Sequence, residues 1–475
     1  MLVNLSFFKL YKPPLLLALT SVVLYFVFAY NLVRTDYIKL LTLYTALFYL
    51  FYKMVQTFKH HTQALGYLAF AFRAVFIWAI PNLSQDFYRF IWDGRMLLEG
   101  YNPYLHTPES LIRNHLAPIA QANELYRGMG TLNAGHFTNY PPINQLCFAI
   151  AALFSGKSIL GSVIVMRLLI IAADLGSLHF GKKLLKELNM PSYYIFWYIL
   201  NPFIIIELTG NLHFEGIMIF FLVWSLYLLH KGKWQWAALA LAFSISTKLI
   251  PLMLLPLFFQ WFVCPIQNEL NPSSFSIKNA GLFSFKLTRL FSFYGITGIA
   301  TIISFAPFYS FDFLHNYTQT VALWFKNFEF NASFYYLARE IGYALSGYNQ
   351  IAVIGKGIML LVVLFVLFLT FFKNNRTIAT LISSMLLSLS FYYFTATTVH
   401  PWYVATLLIL SVFTNYKFPL VWSFVIILSY LSYVNINSAD KSENLWIISL
   451  EYILVYAMFI WEVFVKKKPK QALLK

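Results

Sequence analysis

The segment Asp86-Phe-Tyr-Arg-Phe-Ile-Trp-Asp-Gly-Arg95 sets two carboxylates and a guanidinium at i, i+3 and i+7, so on a helix Asp86, Arg89 and Asp93 share one face. Two readings fit that face. In one, Asp86 caps a helix N-terminus while Arg89 and Asp93 pair at i, i+4. In the other, Asp86 is a general base or a metal ligand. Downstream, Glu99-Gly-Tyr-Asn102-Pro-Tyr104 marks a turn, and His136 with Asn139-Tyr140-Pro-Pro142 precedes a short apolar run that Pro-Pro is suited to start. Glu207, Asn211, His213 and Glu215 form a second polar group, in which His213 and Glu215 are two apart and so not on one helical face. Lys248 stands in Ser-Thr-Lys-Leu-Ile-Pro251 with no acid nearby in sequence, as a lipid-phosphate cation or a side chain snorkelling to the interface. His400-Pro-Trp402-Tyr403 opens a further turn, and Arg167 with Asp174 suggests an intramembrane pair.

The elements that must hold these residues follow from composition. Of 475 residues, 60% are hydrophobic and 11% charged, against roughly 25% charged in an ordinary soluble domain. Mean hydropathy is +0.66. Such a chain cannot cover a water-facing surface, and its apolar runs have the length that crosses a hydrocarbon core of about 30 Å as helix, without β-barrel alternation. The expected fold is an all-α, polytopic transmembrane helical bundle forming one domain over residues 1–475. The net charge of +16 reads as a topology signal rather than a nucleic-acid surface, since no long basic tract interleaves with soluble structure. Cys147 and Cys264 offer neither a disulfide framework nor a zinc site.

Charge bias orients the spans. A first span, 13–34, follows Lys9 and Lys12 and leaves the cytoplasm; it lacks a small-residue cleavage site and so reads as a retained helix. A second ends near Lys53, Lys59, His60 and His61, and a third, 64–82, delivers the longest loop, residues 84–142, to the outside. The run 158–180 descends to Lys182, Lys183 and Lys186, 191–209 rises to the Glu207 group, and the next span falls to Lys231 and Lys233. A proline-punctuated pair, 234–248 and 250–264, places Lys248 at an outer turn and Lys278, Lys286 and Arg289 inside. After 290–309 comes a second outer loop, 311–349, then spans at 351–372, 377–395, 402–414, 418–434 and 445–465 that end inside at Lys466, Lys467 and Lys468. This threading expects about 13–14 crossings, with the short run 143–155 as a re-entrant or interfacial helix over a cavity.

The motifs resemble the C-type membrane glycosyltransferase superfamily, in the branch of polyprenyl-phosphate-mannose-dependent α-mannosyltransferases of bacterial envelopes. The matching pieces are Asp86 to Arg95, Gly100-Tyr-Asn-Pro-Tyr104, Asn139-Tyr-Pro-Pro142, Gly210-Asn-Leu-His-Phe-Glu215 and Lys248-Leu-Ile-Pro251, in the family's order. The second half matches only in hydropathy and in His400-Pro-Trp402. The resemblance implies a sugar donor on polyprenyl phosphate, a lipid or glycan acceptor, membrane lipids as surroundings, an extracytoplasmic active site in a plasma membrane, most simply a bacterial inner membrane, and Asp86 as catalytic base. Arg89, Arg95 and Lys248 are the expected cations for the leaving phosphate, with His213 and His400 as hydrogen-bond donors. Tyr88, Trp92 and Tyr140 are expected to stack on sugar faces, and Asp93, Asn102 and Glu215 to meet sugar or acceptor hydroxyls. Gln85 stands where related sequences often carry a second acid, and Phe214-Glu215 replaces the more usual pair after the histidine. Both departures count against a bound metal, and no cofactor is expected; a divalent ion would need Asp86, His213 and Glu215 to converge. The competing readings are a lipid-linked glycan polymerase or ligase, which would favour a large late outer loop, and a secondary transporter, which would favour internal repeats and a midplane site.

Overall fold

A computed structural model describes residues 5–264, 278–326, 328–435 and 443–466. Lys467 and Lys468 lie outside the described residues, as do the side chains of Lys9, Lys12 and Lys278. Among the described residues the architecture is helical, with no strand beyond an isolated bridge between Phe330 and Thr398.

Seven of the described helices are long and apolar enough to cross a membrane, among them Tyr37–Thr57, Ile159–Glu187, Ile351–Phe372 and Leu445–Val465. A pair bent by 115°, Pro202–Gly210 with Glu215–His230, makes an eighth. This is fewer than the expected 13–14, because several expected crossings are short or broken. Ile250–Val263, Pro401–Val412 and Phe418–Tyr433 fall below spanning length, and the expected span 64–82 is helical only over Thr62–Val75; Pro142–Ser155, the run expected to be re-entrant or interfacial, is also too short to cross. The chain is a multi-pass membrane protein. Its apolar residues face outward as well as inward: on Ile351–Phe372, Val353, Leu360, Val363, Leu364 and Phe368 are all at least half exposed, as lipid-facing positions must be.

Eight helices lead to the site: α1 (Leu5–Asn31), α2 (Tyr37–Thr57), α3 (Thr62–Val75), α4 (Asp86–Leu98), α5 (Pro108–Arg113), α6 (Ala122–Ala134), α7 (Pro142–Ser155) and α8 (Ile159–Glu187). Buried ions tie them together, with partners that differ from the expected pair. Arg167 and Asp174 do not meet. Asp174 pairs with Arg73 of α3 at 2.8 Å, and Arg73 also donates to the carbonyls of Ala69 and Ile199. Arg167 donates to the carbonyls of Thr209, Gly210 and Ile77. The physical reason is helix geometry: residues 205–210 form a π-turn whose end leaves carbonyls unsatisfied, and a guanidinium satisfies several at once.

Residues 84–142, the first outer segment by charge bias, form three helices, α4 to α6, rather than an open loop. The second is also largely helical, as Phe311–Lys326 and Phe334–Ser346. The two are joined by Asn316 Nδ2 donating to the Tyr104 carbonyl at 3.1 Å, and Asn102 Nδ2 donates to the carbonyl of Phe308, just before the second segment, at 3.1 Å.

Candidate active site

Helix α4 packs on α7 closely enough that a Cβ on Gly94 would lie 2.2 Å from the Phe148 carbonyl oxygen. Phe90 and Phe148 stack across the same contact, centroids 4.7 Å apart. That approach buries most of α4, including Trp92, Phe87 and Ile91, and leaves its N-terminal turn, with Asp86, partly exposed.

Asp86 Oδ1 accepts from Asn133 Nδ2 of α6 at 3.0 Å. Among the described residues no other side chain hydrogen-bonds to that carboxylate, while the Asp86 backbone N–H donates to Ser84 Oγ at 3.3 Å. Asn133 reaches Asp86 because α6 breaks at Gly130, whose φ of 75° and ψ of 164° suit glycine alone and turn the last residues of α6 back toward α4. Burial pushes the Asp86 carboxyl above its ordinary value and the nearby Glu215 adds to the push; the Asn133 hydrogen bond, the Lys248 ammonium and the Arg34 guanidinium pull it back.

Lys248 follows Trp234–Thr247 in extended conformation, where the approach of Pro251 ends the helix. Asn144 of α7 donates to the Thr247 carbonyl at 2.8 Å and fixes this end against α7. The Lys248 Nζ lies 3.0 Å from Glu215 Oε1 and 5.2 Å from the Tyr140 ring centroid. Glu215 opens Glu215–His230, where the helix dipole favours a carboxylate. Its Oε2 is buried with no hydrogen-bond partner among the described residues.

His213 lies in the turn between the two arms of the bent pair. Its Nε2 is 3.8 Å from Glu207 Oε2, and Glu207 accepts from the Tyr430 hydroxyl at 2.9 and 3.0 Å. The His213 ring stacks on Trp402 at 3.6 Å, Trp402 on His400 at 4.6 Å, and His400 on Phe330 at 5.2 Å. The ladder is held from below: Phe330 N donates to the Thr397 carbonyl and Val399 N to the Phe330 carbonyl, so the second outer segment positions His400. Lys248 acts electrostatically on both imidazoles. The structure therefore gathers Asp86, Tyr140, His213, Glu215, Lys248 and His400 at one end of the bundle.

It does not gather the rest. Arg89 pairs with Asp93 at 2.8 Å and donates to the carbonyls of Asn133 and His136, while Gln145 donates to the other Asp93 oxygen at 3.1 Å. Arg95, about 13 Å further along the helix axis than Asp86, holds the carbonyls of Ala120 and Lys157 and the Gln121 side chain. Trp92 is 1% exposed, inside the core. Asn102 forms its own turn, accepting from Tyr104 N, and donates to the Phe308 carbonyl. Tyr88 is packed on Gly128 and Phe87. These five positions, with Asp93, are engaged by neighbouring protein groups rather than turned toward Asp86, although Arg89 Nη2 and Arg95 Nε find no hydrogen-bond partner among the described residues. Among the described residues, no three His, Cys, Asp or Glu side chains are grouped so that they could hold a metal ion.

Two residues at the site escaped the sequence reading. Asn133 sits in a polar loop with no motif, its one signal being the neighbouring Gly128-Met-Gly130. Arg34 donates to the Leu83 carbonyl at 3.3 Å and lies 4.0 Å over the Tyr433 ring. Its signal was a cation at the end of the first span that charge bias assigns to the outside.

An all-helical membrane protein with a half-open carboxylate beside cations and stacked aromatics at one end has the parts of a membrane glycosyltransferase. The family model for the alpha-(1->6)-mannopyranosyltransferase N-terminal domain (MptA_B family) matches residues 16–264, and the chain belongs to that family. The match spans all the site residues except those near His400. Compared with curated proteins, the chain matches none.

Proposed function

We propose that this mannosyltransferase-family protein moves a mannosyl residue, with inversion, from a polyprenyl-phosphate donor to a lipid or glycan acceptor on the extracytoplasmic face of the plasma membrane. The family description points to a 6-hydroxyl of the acceptor as the nucleophile. Asp86 takes the proton from that hydroxyl as its oxygen bonds to the anomeric carbon, and the bond from that carbon to the phosphate oxygen breaks on the opposite face. The leaving polyprenyl phosphate gains a negative charge. Lys248 meets that charge, with His213 and His400 as donors, in surroundings poor in water where fixed charges act strongly. Tyr140 and Glu215 line the sugar. A β-linked donor then yields an α product in one displacement with no covalent intermediate.

The observation that carries this reading is the position of Asp86: a partly exposed carboxylate with one neutral hydrogen-bond partner, beside the Lys248–Glu215 pair. The test is transfer of radiolabelled sugar by the purified protein from synthetic polyprenyl phosphate mannose to envelope lipids and glycans. Wild type and Asp86→Asn are compared, with polyprenyl phosphate glucose and a nucleotide-linked mannose as competing donors and with EDTA in parallel. Transfer from the mannose lipid, lost in the variant and insensitive to EDTA, supports the reading. Transfer that survives Asp86→Asn removes the base, and transfer from the nucleotide donor removes the lipid-linked substrate.

A further inference from the structure

We infer that Asn133 is the positioning residue of the base, donating from Nδ2 to Asp86 Oδ1 so that Oδ2 is presented to the acceptor hydroxyl. The inference rests on the reading of Asp86 as base, and its geometry is independent of any ligand. Two hydrogen bonds and a glycine break hold the backbone that carries Asn133. The Arg89 guanidinium, three residues after Asp86, holds the Asn133 backbone carbonyl at 2.7 Å. Gln85, immediately before Asp86, donates to the Met129 carbonyl at 3.0 Å. Between them Gly130 makes the break that turns Asn133 inward, and a Cβ there would lie 2.8 Å from Gln85 Nε2. One short stretch of α4 therefore carries the base and also grips the segment that aims it.

The chemistry favours an amide in this place. An ionised carboxylate only accepts, so the amide must present its nitrogen. A neutral donor favours the charged form of Asp86 without supplying a full counter-charge that would bind the carboxylate too firmly to take a proton. Lys248 and Arg34 add a longer-range pull in the same direction.

The sign of the effect follows. Without the amide donor, burial and Glu215 act with less opposition and protonated Asp86 persists to higher pH, so the acid limb of kcat/KM moves up. The test is the pH–rate profile of the full-length protein for wild type, Asn133→Ala and the near-isosteric Asn133→Asp. Asn133→Ala is expected to raise the limb by about one pH unit, adding about a tenfold loss below the limb to a lower plateau from the lost aim, with donor KM unchanged. Asn133→Asp sets a like charge against Asp86 and is expected to move the limb further in the same direction. A uniform loss with the limb unmoved overturns the inference, since a merely structural residue lowers the plateau without shifting the limb. Should Asn133→Ala not fold, Asn133→Asp is judged by the same criterion. Asp86→Asn separates the two ideas: full transfer in that variant removes the base and this role with it, whereas an inactive Asp86→Asn beside an unmoved limb removes only the role of Asn133.

Discussion

The first turn of α4 and its middle carry the same side chain in very different settings. Asp93 is fully buried, one oxygen on Arg89 and the other on Gln145. Asp86, seven residues earlier on the same face, is partly exposed with a single neutral amide partner. A carboxylate so held has both oxygens occupied, and breaking the buried pair leaves an uncompensated charge. A half-open carboxylate has a lone pair for a substrate. What separates them is packing: α7 closes on α4 at Gly94, beside Asp93, and at Phe90, whereas Asp86 opens the helix.

The sharpest way to break this comparison is to neutralise each carboxylate in turn. Asp86→Asn is expected to fold normally and to lose transfer by about 10²- to 10⁴-fold, the range for removal of a general base. Asp93→Asn is expected to lower yield and thermal stability while the folded fraction transfers at close to the wild-type rate. Active-site titration of the folded protein checks this, and a larger rate defect in Asp93→Asn than in Asp86→Asn would reverse the assignments.

The cation side comes next. Lys248→Met removes the ammonium that Glu215 holds at 3.0 Å, and kcat is expected to fall about 10²- to 10³-fold, as when a transition-state charge loses a fixed partner. Lys248→Arg should recover part of it. Arg89→Met, by contrast, strands Asp93 and is expected to cost about 3–5 kcal/mol of stability. Adding Asp93→Leu should restore much of that stability, which thermal unfolding in detergent measures. If Arg89→Met changes the rate of folded enzyme more than Lys248→Met does, Arg89 belongs with the open group after all.

The membrane class and the helical bundle were legible because composition and run length depend on every residue, and no tertiary contact overrides them. Asp86, Lys248, His213, Glu215 and His400 were legible as candidates because ionisable groups in a mostly apolar chain are few. Spacing could not sort Asp86 from Arg89, Asp93 and Arg95, since a helical face says which side chains are neighbours and not which are sealed by another helix. The Arg167–Asp174 pair failed for the same reason: seven residues apart on α8, each found its partner on a different element. Asn133 was invisible because a donor that approaches from 47 residues away leaves no local pattern.

The smallest expected effect tests whether the sealed group includes residues outside α4. Asn102 lay in the expected set of sugar contacts, yet its amide accepts from Tyr104 N and donates to the Phe308 carbonyl, just before the second outer segment. Truncating it to Ala removes one donor and one acceptor that water can partly replace, so the loss should be about 1 kcal/mol, a shift of a few degrees or less in a protein of this size. Donor KM should stay within about twofold, because the second outer segment is also held by Asn316 and by the Phe330 bridge that supports His400. A tenfold rise in KM with unchanged stability would put Asn102 back among the substrate contacts and would extend the open region of the site beyond the first turn of α4.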